Sequence, residues 1–143
     1  MEAECDVLLQ AIAGLDSEQL TRPWLDGWSV KDILAHVLGW ERIETLFLSR
    51  MAAGERPNPD GIDYINEVDS WNASFVGGMV AISPQTVIAI LRQAHMNHVI
   101  AARSLPEQRL SEGKTARRLI DDDVLHYQEH AQQIRTWRER EAS

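Results

Sequence analysis

The stretch RLIDDDVLHYQEHAQQIRTWR, residues 118–138, contains neither proline nor glycine and predicts one long helix. Alternating steps of three and four residues trace a single face down this helix, formed by Leu119, Asp123, His126, His130, Gln133 and Trp137. The face is apolar at both ends and polar in the middle, and a buried polar group without a partner is unfavourable. We therefore expect the polar centre of this face to hold a hydrogen-bond network or a bound ion.

Two histidines in this polar centre have a spacing that suits metal binding. His126 and His130 lie one helical turn apart, so both imidazoles can reach the same ion. Histidine pairs at this spacing also occur by chance on many helices. A metal site here needs a third ligand from elsewhere in the chain.

A third histidine lies on the apolar face of an earlier helix. Ser29 predicts the start of that helix, because its hydroxyl can cap the first turn and Asp32 follows at the capping-box position. The helix is expected to end near Ala53, before Gly54. Its predicted apolar face consists of Ile33, His36, Trp40, Ile43 and Phe47. His36 therefore points to the same side as core residues and is the third candidate ligand.

A site formed by His36, His126 and His130 would lie between two helices of a bundle, where metal sites are commonly built. Three neutral imidazoles leave coordination positions for water or a substrate, which is typical of catalytic rather than structural sites. Zinc, nickel, iron and manganese all accept such ligands, and the affinity order favours nickel, copper and zinc. The alternative is that each histidine is a hydrogen-bonded residue of the core or of its boundary.

Two acidic residues are candidates for supporting the site. Asp122 and Asp123 lie about one turn before His126, where a carboxylate could accept the free ring N–H of a ligand histidine. Their position near a helix N-terminus has a second explanation, because acidic groups there interact favourably with the helix dipole.

Three further residues are candidates for lining a pocket beside the site, namely Trp40, His95 and His98. Direct ligation by His95 or His98 is the less favoured alternative. Tyr127 and Glu129 fall off the polar face of the last helix and are interpreted as boundary and surface residues.

The rest of the chain predicts more helix and no strand. Residues 2–13 and 84–104 have helical periodicity, residues 64–78 predict a weaker helix, and residues 54–63 and 105–115 are loops rich in turn residues. We therefore predict an all-α protein with about four main helices, in which residues 1–143 form a single domain.

Composition narrows the class of function. The net charge of −8 and the absence of a basic stripe argue against nucleic-acid binding. No apolar run is long enough for a membrane span, and the acidic N-terminus does not resemble a signal peptide. The lone cysteine, Cys5, excludes an internal disulfide and suits a reducing compartment. A bacterial-type cytoplasmic protein is the expectation.

Two segments resemble a known superfamily. GWSVKDILAHVLGWE, residues 27–41, is similar to the signature near the second helix of the DinB-like superfamily, and LHYQEHAQQIRTWR, residues 125–138, resembles its last helix. This superfamily includes DinB proteins, ClbS-like proteins and thiol-dependent maleylpyruvate isomerase N-terminal domains. The resemblance implies a four-helix bundle with up-down-down-up topology and a long crossover between helices 2 and 3. It also implies a divalent metal, most often nickel or zinc, on His36, His126 and His130, and a homodimer.

The resemblance leaves two functions open. One is a metal-dependent enzyme that activates a low-molecular-weight thiol or water, for transfer to, isomerisation of or hydrolysis of a small electrophilic molecule. The other is a metal-containing protein that binds and sequesters a small toxic molecule without turnover. A purely structural dimer would need no metal. Fold alone does not decide among these functions.

Overall fold

The computed structural model describes residues 2–143 and is all-α, as predicted. Within this range the chain forms α1 (Ala3–Ile12), α2 (Ser17–Thr21), α3 (Val30–Ala52), α4 (Val68–Gly78), α5 (Pro84–Arg103) and α6 (Thr115–Glu141). A short 3-10 helix, Glu107–Arg109, lies between α5 and α6. No strand is present in residues 2–143, where only an isolated bridge joins Leu25 to Trp28.

The predicted helix starts depend on capping side chains, and the structure contains these caps. The Ser29 hydroxyl accepts a hydrogen bond from the backbone N–H of Asp32, and the Asp32 carboxylate accepts one from the backbone N–H of Ser29. At the start of α5 the Ser83 hydroxyl accepts a hydrogen bond from the backbone N–H of Thr86, and Pro84 lies in the first turn. These caps fix where the two helices begin, and therefore which residues face each other across the bundle.

The core forms where α3 packs against α5, α4 and α6, and where α1 packs against α6. Its buried residues come from all of the longer helices except α4. They include Leu8 of α1, Ile33 and Leu38 of α3, Leu91 of α5 and Ile134 of α6. The last helix, α6, therefore packs against both α1 and α3.

The buried face of α3 differs from the predicted one. Trp40, Ile43 and Phe47 are only partly buried, whereas Glu41 and Leu48 are fully buried. Neighbouring residues in a helix are rotated by about 100°. The face predicted to be buried thus lies one residue away from the face that the structure buries, on the side of α3 that α4 covers.

Tyr127 was predicted to be a boundary residue, and this prediction was wrong. Its side chain is fully buried, and its hydroxyl donates a hydrogen bond to Glu41 at 2.9 Å. The most deeply buried face of α6 contains Asp123, Tyr127, Ala131 and Ile134. His126 and His130 lie one residue away from it, at the edge of the buried surface.

A close approach between α3 and α4 depends on Gly39. A Cβ atom at this position would clash with the ring of Phe75. Glycine therefore lets the aromatic side of α4 approach the backbone of α3, and Phe75 packs there edge-on against Trp40.

The two ends of the fold are joined by α6. Trp137 stacks on Trp24 with ring centroids 4.7 Å apart. The guanidinium of Arg138 donates hydrogen bonds to the backbone carbonyls of Ala11 and Ala13, at the end of α1. These carbonyls would otherwise lack partners within the helix.

None of the helices within residues 2–143 combines the length and the apolar character that crossing a bilayer demands.

Candidate metal centre

The three histidines predicted as ligands lie together in the structure. His36 comes from α3, and His126 and His130 come from consecutive turns of α6. One ring nitrogen of each histidine lies within 4.8 Å of the corresponding atoms of the other two. The ring centroids are 4.6–5.1 Å apart. Such a cluster of imidazole nitrogens could hold one metal ion.

The ring of His36 is oriented by an amide on α4. Its Nδ1 lies 2.8 Å from Oδ1 of Asn72, and the same oxygen accepts a hydrogen bond from Nε1 of Trp40 at 2.6 Å. An amide oxygen only accepts hydrogen bonds, so Nδ1 of His36 carries the hydrogen. The lone pair is then on Nε2, the nitrogen that faces the other two histidines.

His130 is oriented in the same way. Its Nδ1 lies 2.7 Å from Oε1 of Gln133, one turn further along α6. This contact places the hydrogen on Nδ1 and leaves the Nε2 lone pair of His130 available to an ion.

His126 completes the triad through a direct contact with His36. Their Nε2 atoms are 2.7 Å apart. Because Nε2 of His36 carries a lone pair, Nε2 of His126 donates the hydrogen in this contact. His126 must release this hydrogen, or move it to Nδ1, to become a ligand through Nε2.

The histidines are neutral at pH 7, as ligands must be. Burial lowers the pKa of His36 to about 4, and the charge of His130 adds to this effect. Burial lowers the pKa of His126 to about 3, with His36 contributing. The pKa of His130 is also lowered by burial. The three histidines are therefore neutral and close enough together to hold one divalent ion, once the Nε2 hydrogen of His126 has been released or moved to Nδ1.

The triad lies near the surface of the bundle rather than at its centre. His36 is 9% exposed, and His126 and His130 are half-buried. A two-residue turn at Asp26–Gly27, both with positive φ, carries Trp28 to a ring-centroid distance of 5.0 Å from His36. An aromatic ring thus forms one wall of the site, which lies at the edge of the buried surface.

The structure places Asp122 and Asp123 away from the ring nitrogens of the triad. The hydrogen-bond partners of His36 and His130 are Asn72 and Gln133, whereas Asp122 is exposed. Asp123 is buried one turn before Tyr127, on the deep face of α6, and lies against His98. A carboxylate at position 123 therefore faces away from the triad.

His95 and His98 are also separate from the triad. Both are buried on α5, and they group with Glu41, Glu44 and Asp123 in the bundle interior. Trp40, the other predicted pocket residue, lies beside the triad and contacts Asn72 and Phe75.

Sequence reasoning missed several residues around these sites. Asn72 lies in a weakly patterned helix, and nothing in the sequence indicates that it pairs with His36. A signal for Glu41 and Glu44 did exist, because both continue the apolar series Ile33, Val37 and Leu48 at steps of three and four residues. Two carboxylates within a buried helical face indicate a polar network.

An apolar cavity of about 400 Å³ lies between α3 and α4. Its lining includes Gly39, Arg42, Tyr64, Trp71 and Phe75. The cavity shares α4 with Asn72, the amide that orients His36. Its size is that of a pocket for a small molecule.

These features define an all-α protein with a histidine triad that could hold a divalent metal ion. Residues 1–130 match the family described as the mycothiol maleylpyruvate isomerase N-terminal domain. The chain belongs to this family, a DinB-like superfamily domain, so the predicted superfamily is confirmed. Searches of curated proteins and of solved structures returned no significant match.

Proposed function

We propose that this protein is a divalent-metal-dependent enzyme that acts on a small electrophilic molecule, with a low-molecular-weight thiol or water as the nucleophile. The observation that supports this proposal is the convergence of three neutral imidazoles, His36, His126 and His130, at the edge of the bundle. Family membership supports it further. Nickel or zinc is the proposed ion, because three imidazole ligands favour these metals.

The chemistry that a bound divalent ion supplies is a lowered pKa of a coordinated thiol or water. The protein's own residues hold the ligands in place. Asn72 and Gln133 fix the tautomers of His36 and His130, and the shared contact of Asn72 with Trp40 fixes the side chain of Asn72 as well. We propose that the cavity between α3 and α4 binds the apolar part of the electrophile. Ile33, on the same helix, is fully buried and does not reach this cavity.

The thiol must come from outside the chain. The only cysteine, Cys5, lies on α1 and is 5% exposed. Burial, together with the nearby charge of Glu41, raises the pKa of its thiol to about 11. The thiolate is the reactive form, so Cys5 is inert near neutral pH. The family takes its name from mycothiol, and we propose a thiol of this class as the cosubstrate.

The state of Cys5 gives a direct prediction. At pH 8 we expect the native protein to react with an aromatic disulfide reagent more than about tenfold more slowly than the denatured protein, because the native thiol is buried and protonated. Absorbance of the released thiolate measures both rates. Equal rates would show that Cys5 is accessible and would reopen a role for it.

The proposed activity is tested with metal-loaded and metal-free protein. A panel of thiols that includes mycothiol, together with small electrophiles such as maleylpyruvate, should show a rate that depends on the loaded metal. The His36→Ala variant should lose this rate, while Leu125→Ala, which removes an exposed side chain from α6, should keep it. Circular dichroism would verify that the compared samples are equally folded. Absence of any metal-dependent rate across the panel would refute the enzyme proposal.

Sequestration of a small molecule is the alternative function. The observation that favours it is that the ring nitrogens of His36 and His130 contact amide oxygens, which cannot act as general bases at neutral pH. A compound that binds tightly to the metal-loaded protein and is recovered unchanged would support this function.

The remaining proposals follow from the superfamily and from the sequence. We propose that α1, α3, α5 and α6 are the four helices of an up-down-down-up bundle, and that α4 belongs to the crossover between the second and third of them. We also propose a cytoplasmic location, because a reducing compartment suits a chain with one free cysteine.

A homodimer is proposed for the same chain. The crossover presents Ile65 and Val80 with 86% and 75% of their surface exposed, and such apolar groups are typical of interaction surfaces. We expect sedimentation at micromolar concentration to show a dimer, which the double variant Ile65→Lys and Val80→Lys converts to a monomer. A wild-type monomer at this concentration would contradict the proposal.

A further inference from the structure

A second group of ionisable side chains fills the interior of the bundle, apart from the histidine triad. It comes from three helices at short helical spacings, with Glu41 and Glu44 on α3, His95 and His98 on α5, and Asp123 and Tyr127 on α6. Five of these six residues are buried, and Glu44 is partly buried with one carboxyl oxygen enclosed. Nothing in the proposed function uses this cluster.

One half of the cluster is satisfied by hydrogen bonds within the protein. The carboxyl group of Glu41 contacts Nδ1 of His95 at 2.8 Å through one oxygen. Its other oxygen accepts a hydrogen bond from the hydroxyl of Tyr127 at 2.9 Å. Both carboxyl oxygens of Glu41 are therefore occupied.

In the other half of the cluster the carboxyl groups of Glu44 and Asp123 contact each other, but three atoms lack a hydrogen bond. Oε2 of Glu44, Nε2 of His98 and Oδ2 of Asp123 are all buried and make no hydrogen bond. His98 is 0% exposed and Asp123 is 2% exposed, so water does not reach them from the surface. The distance from Nε2 of His98 to Oδ2 of Asp123 is 3.4 Å.

The orientation of the His98 ring determines which of its nitrogens faces the carboxyl groups. Its Nδ1 lies 3.2 Å from the hydroxyl oxygen of Thr45, which can accept the ring hydrogen. Nε2 then presents a lone pair toward the two carboxyl groups. Glu44, His98 and Asp123 each contribute one potential ligand atom, and these atoms all lie within 4.8 Å of one another.

With the ring hydrogen of His98 on Nδ1 and both carboxyl groups ionised, three acceptor atoms face each other and need positive charge between them. Burial is the main cause of a raised pKa for both Asp123 and Glu44, and the nearby charge of Glu41 raises both further. Burial also lowers the pKa of His98 to about 4, so its ring is neutral at pH 7. The positive charge must therefore be supplied by protons on the carboxyl groups or by a cation.

We propose that Glu44, His98 and Asp123 bind a second divalent metal ion in the interior of the bundle, independently of the histidine triad. Two carboxylate oxygens and one imidazole nitrogen suit zinc, manganese or iron(II) better than softer metals. Glu41, His95 and Tyr127 form the layer around this site and hold α3, α5 and α6 at the spacing that it requires.

A groove of about 440 Å³ lies beside this layer. It is lined by residues of α1 and α5, and His95 and Cys5 lie in its wall. His95 therefore belongs both to the wall of the groove and to the layer around the site. The triad uses different residues of α3 and α6 and shares no ligand with the interior cluster, so loading of one site does not require the other.

The test counts ions per chain in stripped protein reloaded with zinc alone or with manganese alone. Wild type should hold about two zinc ions per chain after gel filtration, measured by elemental analysis. The variant His126→Ala with His130→Ala leaves the interior cluster unchanged and should retain about one zinc ion. Asp123→Asn and His98→Gln should each lose the interior ion and keep the one at the triad. Manganese prefers oxygen ligands, and only the interior site offers carboxylates. After reloading with manganese, these two variants should therefore also lose the interior ion.

The outcomes separate this inference from the proposed function. One ion in wild type and none in the double histidine variant would overturn the interior site and show that protons occupy the cluster. One ion in wild type that persists in the double histidine variant, and is lost in His98→Gln, would support the interior site and refute the metal at the triad. Because the double histidine variant does not alter the cluster, the result does not depend on whether Asp123→Asn folds.

Discussion

Replacing His126 with alanine should weaken metal binding at the triad by more than about 100-fold, because it removes one of three ligands, and loss of even a second-layer partner costs about 10- to 100-fold. The only hydrogen bond of the His126 side chain within residues 2–143 is the one with His36. The fold should therefore persist in the variant. Competition with a chromophoric chelator measures the affinity for zinc and for nickel.

Leu125→Ala is the matched control for this variant. Leu125 precedes His126 on α6, is 52% exposed and offers no ligand atom. Its substitution should leave the affinity within about twofold of wild type. Equal affinities for His126→Ala and Leu125→Ala would exclude the triad as a metal centre, whatever the activity of the protein.

Replacing Glu41 with alanine should lower the free energy of unfolding by about 2–6 kcal/mol, because each of two buried groups left without a hydrogen-bond partner costs about 1–3 kcal/mol. The variant deprives the buried hydroxyl of Tyr127 and Nδ1 of His95 of their acceptor. Small proteins have total stabilities of about 5–15 kcal/mol, so the variant should be close to unfolding at 37 °C. Urea denaturation followed by circular dichroism measures the change.

Two controls accompany Glu41→Ala. Glu41→Gln retains one oxygen acceptor and nearly the same volume, so it should lose less than half as much stability. Glu129→Ala removes an exposed carboxylate from α6 and should change the free energy of unfolding by less than about 0.5 kcal/mol. A Glu41→Ala variant as stable as Glu129→Ala would show that the interior network does not stabilise the fold.

Local signals in the sequence predicted the helices well. Ser29 with Asp32 and Ser83 with Pro84 mark helix starts through contacts that span only three residues, so they can be identified without knowing the fold. The last helix extends three residues beyond each end of the predicted stretch 118–138. No proline or glycine lies between Thr115 and Glu141 to end the helix earlier.

The exact inward face of each helix was harder to predict. The face chosen for α6 followed His126 and His130, yet the structure buries Tyr127 more deeply than either histidine. One residue is a rotation of about 100°, which separates the centre of a buried face from its edge. Which of two adjacent faces turns inward depends on the partner helix, and a single sequence does not contain that information.

The immediate surroundings of the triad depend on contacts that are distant in sequence. His36 and Asn72 are separated by 36 positions, and α4 carries only a weak apolar pattern. The orientation of His36 therefore follows from how α4 docks on α3 around Gly39, and only the folded chain shows it.

The stack of Trp137 on Trp24 bears on where the structural domain of this protein ends. The family match ends at residue 130, within α6. Ile134 and Trp137 lie beyond it and belong to the same packed core, and Arg138 donates a hydrogen bond to the end of α1. The segment that matches the family is therefore shorter than the segment whose side chains pack together. A chain ended at residue 130 would keep all three histidines of the triad and lose the contacts that fasten α1 and the Trp24 loop to α6. Any excision of this domain for transfer into another protein has to follow the packing, through residue 138 at least.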